Sequence, residues 1–214
     1  MSVIPQPTSA ENIAFGDLVI AYDDRVLSPR PWTELQSRWG AELARTAPAG
    51  DILELCAGAG QIGLLALSLH GPGRRLVAVD VSEDACRFTE QNAVAAGLAD
   101  LVEIRNQGLE SACAPGEVFP VILADPPWVP SAQTQRFPED PLTAIDGGHD
   151  GLDLARACLE VIVHHLHVDG SALIQVGTDE QVDLLREEFG AVLAIREVRG
   201  VLGRGVIALV TKDV

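Results

Sequence analysis

Lysine is almost missing from this chain. Lys212 is the only one in 214 residues, and lysine plus arginine number 15 against 31 acidic residues, a net charge of −16. Nucleic-acid binding rests on a basic surface that displaces counterions. The longest basic run here is Arg74-Arg75, so the charge argues against DNA or bulk RNA and leaves small molecules, peptides and protein loops as partners. Aromatic residues make up 4%, which leaves an aliphatic, alanine-rich core. No apolar stretch approaches the roughly eighteen residues of a membrane span. Met1 to Glu11 shows no basic segment followed by an apolar one, so no secretory signal is expected. The four cysteines, Cys56, Cys86, Cys113 and Cys158, show no C-x-x-C spacing, which argues against a zinc site and fits a reduced, cytoplasmic protein with free thiols. No repeat or linker divides the chain. One unit over residues 1–214 is expected, and oligomeric state is not legible.

What is present centres on Asp51-Ile-Leu-Glu-Leu-Cys-Ala-Gly-Ala-Gly-Gln-Ile-Gly63. Ile52 to Leu55 reads as a short buried strand interrupted only by Glu54. Glycines 58, 60 and 63 follow, then an apolar helix. A strand passing through a glycine turn into a helix brings bare amides and a positive helix end to a ligand. About twenty residues on, Leu76 to Asp80 is a strand ending in a carboxylate, the pairing by which doubly wound α/β folds hold an adenosine ribose. Gly58-Ala-Gly-Gln-Ile-Gly63 also satisfies the dinucleotide pattern G-x-G-x-x-G. Glu54, four residues before Gly58, would repel a pyrophosphate and suit the cationic end of S-adenosylmethionine. An NAD enzyme is the alternative.

Upstream, Phe15 to Tyr22 and Arg25 to Leu27 read as a hairpin after a loose leader over residues 1–12. Thr33 is the expected N-cap of a helix to Thr46. This hairpin and helix, within residues 1–50, are expected to cover the cleft, and residues 51–214 to form the core. Downstream come a helix from Glu83 to Ala96 capped by Ser82, strands at Leu101 to Arg105 and Val118 to Ala124, and a helix from Leu152 to Leu166. A strand at Ser171 to Val176, a helix at Asp179 to Phe189, and two last strands pairing antiparallel complete the chain.

Residues 125–151 form a long loop at the carboxyl end of a strand, where α/β folds bind substrates. It opens with Asp125-Pro-Pro-Trp128, a stiff turn holding an acceptor carboxylate and a ring suited to clamp a flat –NH2 group. His149 in this loop is a candidate base or polar clamp, or a solvated histidine. Val163-His-His-Leu-His167 would put His164 and His167 on one helical face, without the further partners that a metal site requires.

Four stretches in order carry a family resemblance: Pro29-Arg-Pro-Trp-Thr-Glu34, Glu54 to Gly63, Asp125 to Trp128, and Asp146-Gly-Gly-His-Asp-Gly-Leu-Asp153. From about residue 13 onward the chain resembles class I S-adenosylmethionine-dependent methyltransferases. Within them it is most similar to the HemK-type branch, which methylates the side-chain amide of glutamine in release factors. The resemblance implies a Rossmann-like fold with a seven-stranded, mostly parallel sheet and a C-terminal antiparallel hairpin. It places Glu54, Gly58, Gly60, Asp80 and Val81 at the cofactor, with Asn106 or Gln107 at the adenine. It places Asp125, the Pro126 carbonyl and Trp128 at the target nitrogen. Pro127, His149 and Trp32 are further candidates on the acceptor side, and Arg30 is expected either to face the cleft there or to hold the N-terminal segment through a salt bridge. The family's tetrapeptide usually begins with Asn and ends with Tyr, and its P-R-P-E-T-E stretch has Glu where Trp32 stands. About fifty residues precede the first core strand, too few for the partner-binding helical domain of release-factor enzymes. The acceptor is therefore expected to be a protein or peptide amide or, alternatively, a small metabolite methylated on nitrogen or oxygen. A nucleobase amino group is the more distant reading.

Overall fold

The computed structural model describes residues 10–200 and 203–213. It opens with an antiparallel hairpin, β1 (Glu11–Phe15) and β2 (Leu18–Tyr22), with Ile13 opposite Ile20. The hairpin lies earlier than expected. Gly16, at φ 57°, turns the chain with Asp17, a conformation open to glycine in a two-residue loop, and splits the apolar run that read as one strand. Its partner comes from residues 11–15, partly assigned to a leader, while Pro5 and Pro7 of that leader lie outside the described residues. Arg25 to Leu27 form no strand, because the Asp23 carboxylate accepts the Arg25 N–H (3.0 Å) and closes a turn.

A 3-10 turn over Pro31–Thr33 leads into α1 (Glu34–Thr46). Thr33 does not cap that helix with its side chain, since its hydroxyl donates to the Arg30 carbonyl at 2.8 Å. The other end of α1 is tied down by buried Arg74, which donates to the carbonyls of Ala44, Ala47 and Gly50, the acceptors a helix C-terminus leaves without partners.

The core then alternates. β3 (Ile52–Leu55), α2 (Gln61–His70), β4 (Leu76–Asp80), α3 (Glu83–Ala95) and β5 (Val102–Asn106) build one half, and β6 (Phe119–Ala124) begins the other. After the long loop come α4 (Leu142–Ile145), α5 (Asp153–His165), β7 (Leu166–Val176), α6 (Asp179–Phe189), β8 (Leu193–Gly200) and β9 (Val206–Lys212). The strands make a seven-stranded sheet ordered β5-β4-β3-β6-β7-β9-β8, parallel through β7 and antiparallel at β9 and β8. Pro120 sits inside β6, where the pairing with β7 shifts register, one of the few places where a sheet tolerates a missing N–H. β7 starts at Leu166, so His167 is on a strand and not on the helical face of His164. Among the described residues no group of three His, Cys, Asp or Glu is placed to hold a metal. No helix among them is long and apolar enough to cross a membrane.

Successive residues of each central strand face opposite cores. Ile52, Leu76, Ala78, Val121 and Leu123 pack with Trp39, Leu64 and Phe88 on one side. Leu53, Leu55, Val77, Val79 and Ile122 pack with Leu152, Leu159 and Ile162 on the other. That two-sided burial makes the strands read as nearly continuous apolar runs. It also fixes the active face: the chain goes one way from β3 to β5 and the other way from β6, so a crevice opens beyond the ends of β3 and β6.

Candidate active site

In the parallel register of β3 and β6, Leu55 stands beside Ala124. Cys56 and Asp125 therefore leave the sheet side by side. Two hollows meet at that point. One, of about 390 Å³, is lined by Cys56, Gly58, Gln61, Asp80, Val81 and the stretch from Gln107 to Glu110, among others. The second, of about 230 Å³, is lined by Arg30, Trp32, Trp128, Phe137, Asp140 and Arg204, among others. Leu27, Asp125, Pro127 and Ala144 wall both.

The larger hollow is organised by backbone. Gly58, at φ 56°, donates its N–H to Asp80 Oδ2 at 2.8 Å, and Ser82 N–H donates to Oδ1 at 2.9 Å. Thr89 Oγ1 donates to the Gly58 carbonyl at 3.0 Å, pinning the loop to α3. Gly60, at φ 78°, opens α2 from below; a Cβ there would lie 2.8 Å from the Thr89 methyl. Glu54 is buried beneath the loop and not on the cleft wall. Its Oε1 accepts the Gly63 N–H at 2.8 Å, and its Oε2 has no partner. A Cβ on Gly63 would sit 2.8 Å from the Glu54 carboxyl carbon, so the third glycine makes room for that acid. Burial, with Asp125 and Asp80 nearby, pushes the Glu54 carboxyl up to about 8. Burial likewise raises Asp80, against the pull of the Ser82 and Gly58 amides. Three acids thus crowd the site, and among the described residues none of them pairs with a cation, which favours a positively charged ligand over a pyrophosphate.

Asn106 is placed outside this hollow. Its side chain donates to the carbonyls of Asp80 and Val81 (3.1 and 2.9 Å) and braces the turn after β4. Gln107 is on the cleft wall and its N–H donates to the Asp80 carbonyl at 3.0 Å. The hairpin and α1 do not line either hollow; Arg25 to Leu27, Arg30 and Trp32, in the link between them, do.

The smaller hollow is held from behind. Gln36, fully buried on α1, donates to the carbonyls of Ala124 (3.0 Å) and Leu173 (3.2 Å). Gln181 on α6 donates to the carbonyls of Trp128 (3.1 Å) and Asp150 (2.9 Å) and accepts the Gly177 N–H. The two amides clamp the Asp125–Trp128 turn at both ends. The Asp146–Asp153 stretch backs it: the Val129 N–H donates to the Ile145 carbonyl and the Gly147 N–H to the Val129 carbonyl, both at 2.9 Å, and a Cβ on Gly147 would meet the Pro127 carbonyl at 2.7 Å. His149, exposed on that stretch, lines neither hollow. Among the described residues nothing donates to the Asp125 carboxylate or the Pro126 carbonyl, and burial raises Asp125 to about 7. Trp32 lies under the guanidinium of Arg204 (4.6 Å) and near that of Arg30 (5.7 Å), while Arg30 pairs with Asp140 at 2.5 Å. Neither Gln36 nor Gln181 was legible as a functional residue, because a buried glutamine leaves no spacing signal.

A Rossmann-like sheet ending in an antiparallel hairpin, with its cleft at the β3/β6 switch, is the architecture of class I methyltransferases. Solved structures of that class share the fold. Ribosomal protein L11 methylase from Lactobacillus delbrueckii subsp. bulgaricus matches with TM-score 0.63 at 16% identity over 89% of this chain and 83% of its own. The N-terminal domain of human METTL16 in complex with SAH matches with TM-score 0.64 at 16% identity over 90% and 75%. Residues 41–200 match the methyltransferase small domain model, and the chain belongs to that family of methyltransferases. Among curated proteins it is 30% identical over 195 residues to the release factor glutamine methyltransferase of Gloeobacter violaceus, covering 86% of this chain and 68% of that one. It is 34% identical over 161 residues to the ribosomal protein uL3 glutamine methyltransferase of Bordetella pertussis, covering 72% and 53%. The chain thus spans about half to two thirds of the length of these relatives.

Proposed function

We propose that this chain transfers a methyl group from S-adenosylmethionine to the side-chain amide nitrogen of a glutamine in a protein or peptide. The observation carrying this reading is Asp125: its carboxylate lies between the two hollows with both oxygens unclaimed. The relatives named for glutamine methylation support the choice of acceptor.

Bound in the larger hollow, the cofactor supplies a sulfonium-activated methyl group. Asp80 would hold its ribose hydroxyls, Gly58 and Val81 would border it, and the stretch from Gln107 to Glu110 would face the adenine. An amide nitrogen is a poor nucleophile because its lone pair is delocalised. Asp125 would accept one N–H and the Pro126 carbonyl the other, which orients the nitrogen and stabilises positive charge as the lone pair localises. Trp128 and Trp32 would flank the amide plane. Once the new C–N bond forms the nitrogen becomes acidic, and a carboxylate raised to about 7 is matched to take its proton at Oδ near neutral pH.

The test is mass spectrometry of glutamine-containing peptides and of small amide and amine metabolites incubated with the full chain and labelled cofactor. N-methylglutamine is the expected product. Label appearing only in a metabolite, or on oxygen, would replace the peptide reading with the small-molecule one. Calorimetry showing NAD bound more tightly than S-adenosylhomocysteine would remove the cofactor assignment.

A further inference from the structure

Cys56 is the only non-glycine residue among the described ones with positive φ, at 58°. An ordinary side chain in that region carries a conformational cost. Here the backbone aims the thiol at Cys158 on α5, with Sγ to Sγ at 4.0 Å across 102 residues. Cys158 is fully buried, whereas Cys56 lines the larger hollow. The other thiols are placed differently: Cys86 points its Sγ at the carbonyls of Asp80 and Arg105, and Cys113 is half-buried.

We infer that Cys56 and Cys158 form an oxidisable dithiol site, entered by a hydroperoxide through the cofactor cleft, whose disulfide closes that cleft to its ligand. Cys56 sulfur attacks the distal peroxide oxygen, the O–O bond breaks, and the departing oxygen leaves as water or alcohol with the thiol proton. Cys158 sulfur then attacks the resulting sulfenic acid; the S–O bond breaks and water carries away the second proton. Two thiols are oxidised to one disulfide and one peroxide is reduced. A disulfide needs sulfurs about 2 Å apart, so closing from 4.0 Å pulls Cys56 toward α5. Gly58, whose N–H holds Asp80, is two residues away and must follow. The hydrogen bond shared with Cys158, burial, and the charges of Asp80 and Asp125 keep Cys56 protonated. The reaction is therefore slow compared with that of low-pKa sensor thiols. The blocking effect rests on the cofactor reading of the larger hollow; the cross-link does not.

The experiment treats the reduced full chain with hydrogen peroxide, with and without S-adenosylhomocysteine, then blocks remaining thiols with iodoacetamide and maps peptides without reduction. A Cys56–Cys158 link is expected, with Cys86 and Cys113 alkylated, slower formation when the ligand is present, and reversal by dithiothreitol. Cys158→Ala should form no link and should yield a dimedone-trapped sulfenic acid at Cys56. Oxidised protein should bind S-adenosylhomocysteine at least about tenfold more weakly, roughly 1.4 kcal/mol. Alkylatable Cys56 and Cys158 after Cys86 or Cys113 has oxidised would overturn the site. A complete link with unchanged ligand affinity would overturn the closure. Reduced protein that binds no S-adenosylhomocysteine would instead count against the proposed function, while the peptide map still decides the cross-link.

Discussion

The two hollows that share Asp125 are built by different means. The larger is made from consecutive chain: one strand, its glycine turn, the next strand and the turn after that, fastened by backbone amides on Asp80. The smaller is gathered from residues near 30, 125, 140 and 204. Its central turn is held by side-chain amides reaching from α1 and α6. A site made of backbone tolerates change in its side chains but not in its glycines. A site made of remote side chains can change its contents while keeping its frame.

The sharpest way to separate the hollows is Asp125→Ala. Methyl transfer should fall by about 10²–10³-fold, the scale for removing a group that stabilises developing charge, while S-adenosylhomocysteine affinity measured by calorimetry changes little. Asp125→Asn, which keeps an acceptor oxygen, should retain more activity than Ala. A folded Asp125→Ala that turns over normally would sink the mechanism.

Asp80→Ala is the converse. Cofactor affinity should weaken by about 1.5–3 kcal/mol, the cost of losing hydrogen bonds to a charged group, with the acceptor KM at saturating cofactor unchanged. Equal loss on both sides would mean that the hollows are not independent. Gly63→Ala probes the frame alone. Its Cβ would press on the Glu54 carboxylate, and chemical denaturation should register about 1–3 kcal/mol of lost stability. Trp128→Ala should cost roughly 0.5–1.5 kcal/mol in acceptor binding, with Phe recovering part of it.

The smallest effect is on pH. Glu54, Asp125 and Asp80 all have folded values raised above their unfolded ones. A carboxyl of that kind favours the folded state while protonated. Its contribution is complete below the unfolded value of about 4 and is lost as pH rises through the folded one. Without ligand, the melting temperature should decline as pH rises from about 4 to the folded values of about 7 for Asp125 and about 8 for Glu54, and level off above them. A cationic cofactor should flatten the decline. A flat ligand-free profile would mean that these acids are better solvated than their burial implies.

Much of the larger hollow was legible because its chemistry is local. Strand ends at Leu55 and Asp80, glycines at 58, 60 and 63 and the Ser82 cap (3.3 Å to the Ala85 N–H) are each specified within a few residues. Hydrophobic patterning alone requires that the strands be buried on both faces. Where the reading slipped, a tertiary choice intervened. Tyr22 and Phe15 sit on different strands because Gly16 turns. Asn106 is drawn to the carbonyls after β4, and Glu54 goes under its loop because the absent side chain of Gly63 leaves space there.

The sequence by itself determined the alternation of strands and helices, the glycine loop, the acid that ends β4 and the rigid Asp-Pro-Pro-Trp turn. Only the tertiary structure decided that Cys56 and Asp125 emerge side by side, that Gln36 and Gln181 clamp the turn, and that Arg204 meets Trp32. The physical reason is range. Backbone dihedrals and amide hydrogen bonds act between neighbours and leave a pattern in the chain. Contacts across 53 to 137 residues, such as those of Gln181 and Gln36, exist only once the sheet has set its register.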